Sequence, residues 1–203
     1  MGGLLRALVL VALIAGPTSV ARADSKAGGF IEEFANKAIA LASDKQSAAT
    51  DRRARFGDLL DVYFDMPAIG RFLLGRYWRT TSSEEQDAYL KAFTDNIVYT
   101  YSRRFDDYTG QTLVVDDTRQ DGRFDIVSSR IIDPNSNQEF RLEWRLIGGD
   151  DGYKIVDVVI EGVSMSVTQR QEYASVIQSN GGKVQALIDA LNKQMAGLRS
   201  SDG

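Results

Sequence analysis

The 203-residue chain has no cysteine and no histidine. Without cysteine there is no disulfide, thiol nucleophile, zinc–thiolate site or lipid anchor on an N-terminal cysteine. Without histidine the commonest general base and metal ligand are gone, and a Ser–His nucleophile cannot be assembled. The chain also lacks a P-loop and the glycine fingerprint of a dinucleotide site. No apolar run approaches the roughly 18 residues that mark a spanning helix. Acidic residues outnumber basic ones, 28 to 24, so nucleic acid is a poor partner. The remaining composition, 43% hydrophobic and 26% charged, is that of one ordinary globular domain without long disorder.

The N-terminus reads as an address. Arg6 is followed by an unbroken apolar run, Ala7 to Ala15, then a break at Gly16-Pro17 and the small-residue pattern Ala21-Arg22-Ala23. The run is too short to cross a bilayer and fits a secretory signal peptide over 1–23. Residues 24–203 then form one exported domain that begins at Asp24.

Periodicity divides that domain into helices, strands and helices. Residues 24–29 are small and polar and are expected to fray. Phe30, Phe34, Ala38 and Leu41, then Phe56, Leu59, Leu60 and Tyr63, recur at helical spacing. Asp65 can cap a third helix with Pro67 in its first turn, and Gly75 can end it. Ser82-Ser-Glu-Glu85 has capping-box spacing. The helix it opens carries Leu90, Phe93, Ile97, Tyr101 and Phe105 as a stripe reaching about Tyr108. Four strands are predicted at 112–118, 123–133, 138–148 and 153–161, joined by short loops as an antiparallel meander. Simple registers place Leu146 opposite Ile155, Trp144 opposite Asp157 and Leu142 opposite Val159, with Val127 beside Trp144 and Ile131 beside Phe140. One apolar face then gathers these residues with Val114, while Arg141, Glu143 and Arg145 point away. After Gly162, Ser166 is expected to cap a helix that holds Tyr173, Val176 and Ile177 and ends at Asn180-Gly181-Gly182. A last helix carries Val184, Leu187, Ile188, Leu191 and Met195. The fold class is α+β, a single domain in which a four-stranded curved antiparallel sheet is wrapped by N- and C-terminal helices.

Catalytic signals are weak. Gly162-Val-Ser164 sits at a strand-to-helix junction but lacks the second glycine and the base of a nucleophile elbow. The pairs Asp106-Asp107, Asp116-Asp117 and Asp150-Asp151 lack the ligand ladder of a calcium loop and read as solvated turns. Asp157 stands out because the register puts it beside Trp144, where a carboxylate needs a backbone or arginine partner. No catalytic or metal site is assigned, and the chain is read as a non-enzyme.

Two stretches carry a resemblance. The first is Tyr63-Phe-Asp-Met-Pro-Ala-Ile-Gly-Arg-Phe-Leu-Leu-Gly-Arg-Tyr-Trp-Arg79 with Ser82-Ser-Glu-Glu-Gln86 and the aromatic helix behind it. The second is Tyr153-Lys-Ile-Val-Asp-Val-Val-Ile-Glu-Gly-Val-Ser-Met165, running on through Gln169-Arg170 to Leu187-Ile188-Asp-Ala-Leu191. In order and spacing these resemble the MlaC family of periplasmic phospholipid-binding proteins, also called the toluene-tolerance auxiliary family, from about residue 30 to 195. The resemblance implies an NTF2-like general shape with an apolar cavity between sheet and helices. It implies a periplasmic carrier that binds acyl chains and maintains outer-membrane lipid asymmetry. The implied partners are phospholipid, an outer-membrane lipoprotein–porin complex, and an inner-membrane ABC transporter complex with its membrane-anchored substrate-binding subunit. No cofactor is implied beyond the bound lipid.

The side chains assigned to that cavity come from four places. Ile69, Phe72 and Leu73 lie on the third helix, with Tyr77 just beyond it. Phe93, Ile97, Tyr101 and Phe105 lie on the long helix. Val127, Phe140, Leu142, Trp144 and Val159 lie on the sheet face, and Val163 and Met165 at the strand-to-helix junction. The alternatives are a hopanoid-associated branch of the same family, a non-catalytic exported scaffold whose stripes are consumed by packing, and a small exported enzyme.

Overall fold

The apolar spacing at the start of the domain becomes two helices, α1 (Lys26–Ser43) and α2 (Ala49–Tyr63). They belong to a computed structural model that describes residues 26–136, 138–149 and 152–200. The expected signal peptide and the pair Asp150-Asp151 lie outside the described residues. Helix α1 already begins at Lys26, with Ala27 and Gly28 buried. The small residues expected to fray are therefore a close-packing helix start from Lys26 onward.

Helix α3 (Met66–Leu74) starts as its sequence predicts. The Asp65 side chain accepts from the Ala68 N–H at 2.9 Å, and Pro67 occupies the first turn. Gly75 ends it with φ of 54°, a conformation that side chains with a Cβ rarely adopt. A 3₁₀ segment, Gly75–Thr80, leads to α4 (Ser83–Ser102). The Ser82–Glu85 capping box is formed in both directions, satisfying two free N–H groups. The helix stops at Ser102, and a 3₁₀ turn, Arg103–Phe105, replaces the expected continuation to Tyr108.

The strands are β1 (Thr112–Asp121), β2 (Phe124–Ile132), β3 (Glu139–Gly149) and β4 (Gly152–Ile160), with a two-residue β5 (Val163–Ser164) added to the four expected. They form one antiparallel sheet in sequential order. Helices α5 (Met165–Ser179) and α6 (Val184–Ser200) complete the chain. The cap of α5 is Ser164, whose hydroxyl accepts from the Val167 N–H at 3.1 Å. Ser166 is instead a buried first-turn residue.

Register decides which side chains share a face. Val127 pairs with Trp144, Ile131 with Phe140 and Leu146 with Ile155, as the loop lengths predict. Beyond Ile155 an irregularity in β4 shifts the pairing, so Trp144 meets Val158, Leu142 meets Ile160 and Arg145 meets Asp157. One extra residue, Val156, exchanges the two faces of the rest of the strand. Asp157 and Val159 therefore lie on the side of Arg145 and Glu143, not beside Trp144 and Leu142. In β1, Val114 pairs with Arg130 on the outer face and is exposed, while Leu113 and Val115 pack inward.

Two cores result. The first joins α1 and α2 to the inner sheet face through Ile31, Phe34, Phe56, Tyr63, Val127, Trp144 and Ile155. The second is wholly helical and joins α3, α4, α5 and α6 through Leu73, Tyr89, Phe93, Tyr173, Ile177 and Leu187.

Candidate functional site

The residues assigned to a lipid cavity divide between these cores and the surface. Val127, Leu142, Trp144 and Phe105 belong to the sheet core. The space beneath Trp144 is filled rather than open. Phe34 meets Trp144 edge-on at 5.6 Å, and Phe34 also touches Tyr63 and Phe64. Phe105 packs edge-on against Phe56 at 5.1 Å. The Trp144 indole N–H donates to the Ser129 hydroxyl at 2.8 Å, which satisfies both buried groups. Leu73 and Phe93 belong to the helical core, with Ile69 and Tyr77 packed at its margin. Val159 is buried on the outer sheet face, and Met165 is half-buried at the start of α5. Phe72, Tyr101, Phe140 and Val163 are exposed.

The most informative placement is at the end of the inner sheet face. Phe140 is 44% exposed and Ile160 37%, although they flank Leu142, which is only 6% exposed. Phe140 and Ile160 share the face of Trp144 by register, so the apolar surface continues past the part that α1 and α2 cover. Ile131, opposite Phe140, is half-buried. Ile160 escapes the sequence reading because its face depends on the shift at Val156, and alternation alone carries no trace of one inserted residue.

A seam joins the two cores near the opposite end of β4. Phe64 and Ile97 are partly buried and pack against both cores. Phe64 is held by a parallel bridge to Ile155, and the Asp65 N–H donates to the Ile155 carbonyl at 3.0 Å. Ile97 lies one turn before exposed Tyr101 on α4. A seam of partly buried side chains separates more easily than either core, since less apolar area is exposed by parting it.

Asp157 is the joint between sheet and helices. Its carboxylate accepts from the Ser164 hydroxyl at 2.6 Å, the Ser166 N–H at 3.0 Å and Arg145 at 3.3 Å. The buried charge is thus satisfied by an arginine and by the first turn of α5, where the helix dipole favours an anion. This arrangement anchors α5 to β4. Asp106 and Asp116 are likewise committed, to Arg52 and Arg130. Among the described residues no group of three or more acidic side chains is placed to hold a metal ion. No described helix is long and apolar enough to cross a membrane.

Burial raises the pKa of phenols in the cores, and hydrogen bonds shift groups at the surface. Burial pushes the Tyr89 and Tyr173 phenols well above their ordinary range. Tyr89 donates to the Gly70 carbonyl at 3.2 Å inside the helical core. Tyr77 moves the other way, because the Arg76 guanidinium donates to its hydroxyl at 2.9 Å.

Comparison with known proteins agrees with this architecture. The chain is 26% identical over 128 residues to the intermembrane phospholipid transport system binding protein MlaC of Haemophilus influenzae. That alignment covers 61% of this chain and 59% of the relative. It is 23% identical over 142 residues to a toluene tolerance protein of Pseudomonas putida, covering 68% of this chain and 65% of that one. The chain thus spans somewhat under two thirds of the length of either relative. A solved structure of a phospholipid-binding protein from Ralstonia solanacearum, in complex with a phospholipid, superposes with a TM-score of 0.72 at 21% identity. The superposition covers 84% of this chain and 97% of the other. The MlaC protein family model matches residues 32–193, which take in every strand, the helical core and most of the sheet core, and the chain belongs to that family.

Proposed function

We propose that this protein is a soluble, periplasmic, non-catalytic lipid carrier. Acyl chains enter at the uncovered end of the inner sheet face, at Phe140 and Ile160, and extend along the seam marked by Phe64 and Ile97. The observation that carries the reading is that end of the sheet, where two large apolar side chains continue a buried face into solvent. The relative of Haemophilus influenzae is named for phospholipid transport, and the Ralstonia protein was solved with a phospholipid bound. Both support phospholipid as the cargo. The sheet core forms a fixed wall in this reading, and the lining is Phe140, Ile160, Ile97 and Tyr101 more than Trp144 and Val127.

The physics sets what such a carrier must do. An acyl chain of about 16 carbons costs on the order of 12 kcal/mol to expose to water, at ~0.8 kcal/mol per methylene. Uncatalysed release into water is therefore slow. Loading and unloading belong to membrane complexes, an outer-membrane lipoprotein–porin complex on one side and an inner-membrane ABC transporter complex with its anchored binding subunit on the other. Such exchange would maintain outer-membrane lipid asymmetry.

The test is denaturing extraction of the purified protein followed by mass spectrometry. Stoichiometric phospholipid is the expected result. A hopanoid in its place would move the protein to the other branch of cargo, and a lipid-free protein that takes up none from vesicles would end the carrier reading.

A further inference from the structure

Two clefts flank the 3₁₀ segment Gly75–Thr80. One, of about 670 Å³, is bordered by Arg76, Tyr77, Arg79 and the Gly181-Gly182 turn. The other, of about 360 Å³, is bordered by Arg71, Phe72, Trp78 and again Arg79. Arg170 of α5 closes the group, with its guanidinium 4.8 Å from the Phe72 ring centre. It also packs on Gly75, where a Cβ would come within 2.7 Å of it.

The four arginines Arg71, Arg76, Arg79 and Arg170 have no carboxylate partner among the described residues. Three lie over aromatic rings instead: Arg71 by Trp78, Arg76 by Tyr77 and Arg170 by Phe72. Two acids close in sequence are otherwise engaged, Glu85 in the α4 capping box and Glu172 with Gln169. Unpaired positive charge is thus gathered on one side of a chain whose overall charge is −4. Beside it stand exposed apolar side chains, Phe72 at 42% and Val167 at 44%. Val167 lies three residues before Arg170 and so on the same face of α5.

We infer that this ridge is a docking surface for an anionic phospholipid membrane, separate from the acyl-chain site. Guanidinium groups meet the phosphates, and Trp78, Tyr77 and Phe72 sit at headgroup depth, where amphipathic rings are favoured. Charge complementarity selects this occupant: an anionic leaflet rewards a row of arginines by about fivefold in affinity for each one near the surface. The inference does not require that lipid be carried inside the protein.

The test is co-sedimentation of the full protein with phosphatidylcholine vesicles, pure or containing about 30 mole percent phosphatidylglycerol. The expected result is at least about tenfold tighter binding to the anionic vesicles, abolished by salt of about 0.5 M. The double variant Arg76→Gln/Arg79→Gln should weaken that binding about 25-fold with an unchanged melting temperature. Arg76→Lys/Arg79→Lys should keep it within about fivefold, because charge is retained. No preference for anionic vesicles, or full binding by the glutamine variant, overturns the inference. Charge-dependent binding to polyglutamate but not to anionic vesicles also overturns it and marks a protein-facing surface. Measuring co-purifying lipid on the same preparations separates failure here from failure of the carrier reading.

Discussion

The sheet half and the helical half of the molecule are stabilised differently. In the sheet half, arginines are tied to carboxylates: Arg52 to Asp106, Arg130 to Asp116 and Glu139, Arg141 to Glu161, Arg145 to Asp157. Its rings interlock from α1 through Trp144, and its edge at Ile155 is covered by Phe64 and Asp65. In the helical half Arg71, Arg76 and Arg170 lie over rings, and the core includes the buried tyrosines Tyr89 and Tyr173. A scaffold of strands and paired charges resists deformation, whereas helices packed through a tyrosine cluster can shift on one another. The difference teaches how the halves are joined: by the partly buried seam at Phe64 and Ile97 and by the Asp157 tie between β4 and α5.

The sharpest attack on that comparison is a pair of substitutions on one sheet face. Leu142→Asp puts a charge into the packed sheet core and should unfold the domain, a penalty of several kcal/mol against a total of ~5–15. Phe140→Asp, one residue pair away but exposed, should leave melting by circular dichroism nearly unchanged while lowering bound lipid. A folded Leu142→Asp protein would show that the sheet half is not the rigid one.

High pH should probe the packing of the helical core. Burial favours the neutral phenols of Tyr89 and Tyr173, so their folded-state pKa values lie above the ordinary value of 10. The stability this represents is fully present below pH 10 and declines as pH rises beyond it. Tyrosinate absorbance should therefore show Tyr89 and Tyr173 ionising late, together with loss of helical circular dichroism, with the phenol of Tyr63 in the sheet core also held above its ordinary value by burial. Early, independent ionisation of Tyr89 and Tyr173 would mean that the helical core is open to water.

Removing the joint should have a moderate effect. Asp157→Ala leaves the Ser166 N–H and Ser164 without their acceptor and should cost about 2–3 kcal/mol. Its distinguishing mark is reduced cooperativity, with hydrogen exchange in α5 and α6 rising ahead of β2 and β3. Uniform acceleration across both halves would count against Asp157 as the link. The smallest effect belongs to Ser82→Ala, which deletes the α4 cap at a cost of about 1 kcal/mol. It should frays only the first turn of α4, read as faster exchange there, with lipid content unaltered.

Local signals carried far in this chain. The caps at Asp65 and Ser82, the stop at Gly75, the positions of the four main strands and the pairing of Val127 with Trp144 follow from local spacing and loop length, though β1 runs three residues past its expected end. The α5 cap was misplaced by two residues because Ser164 and Ser166 are both competent, and Asp157 decides between them by taking the Ser166 N–H. The stripe of α4 identified Phe93 but not Tyr89, which is fully buried. A tyrosine between apolar residues gives no sign that Gly70 offers its hydroxyl a partner.

By itself, then, the sequence determined element types, turn positions, the absence of histidine and cysteine chemistry, and kinship with a family, because each depends on local spacing or residue identity. Tertiary structure alone decided that the buried side chains divide between two cores, that Asp157 ties β4 to α5, and that four arginines meet around one ridge. Those depend on a single inserted residue in β4 and on which helix faces pack together. Long-range packing sets both, and no window along the chain contains the partners involved.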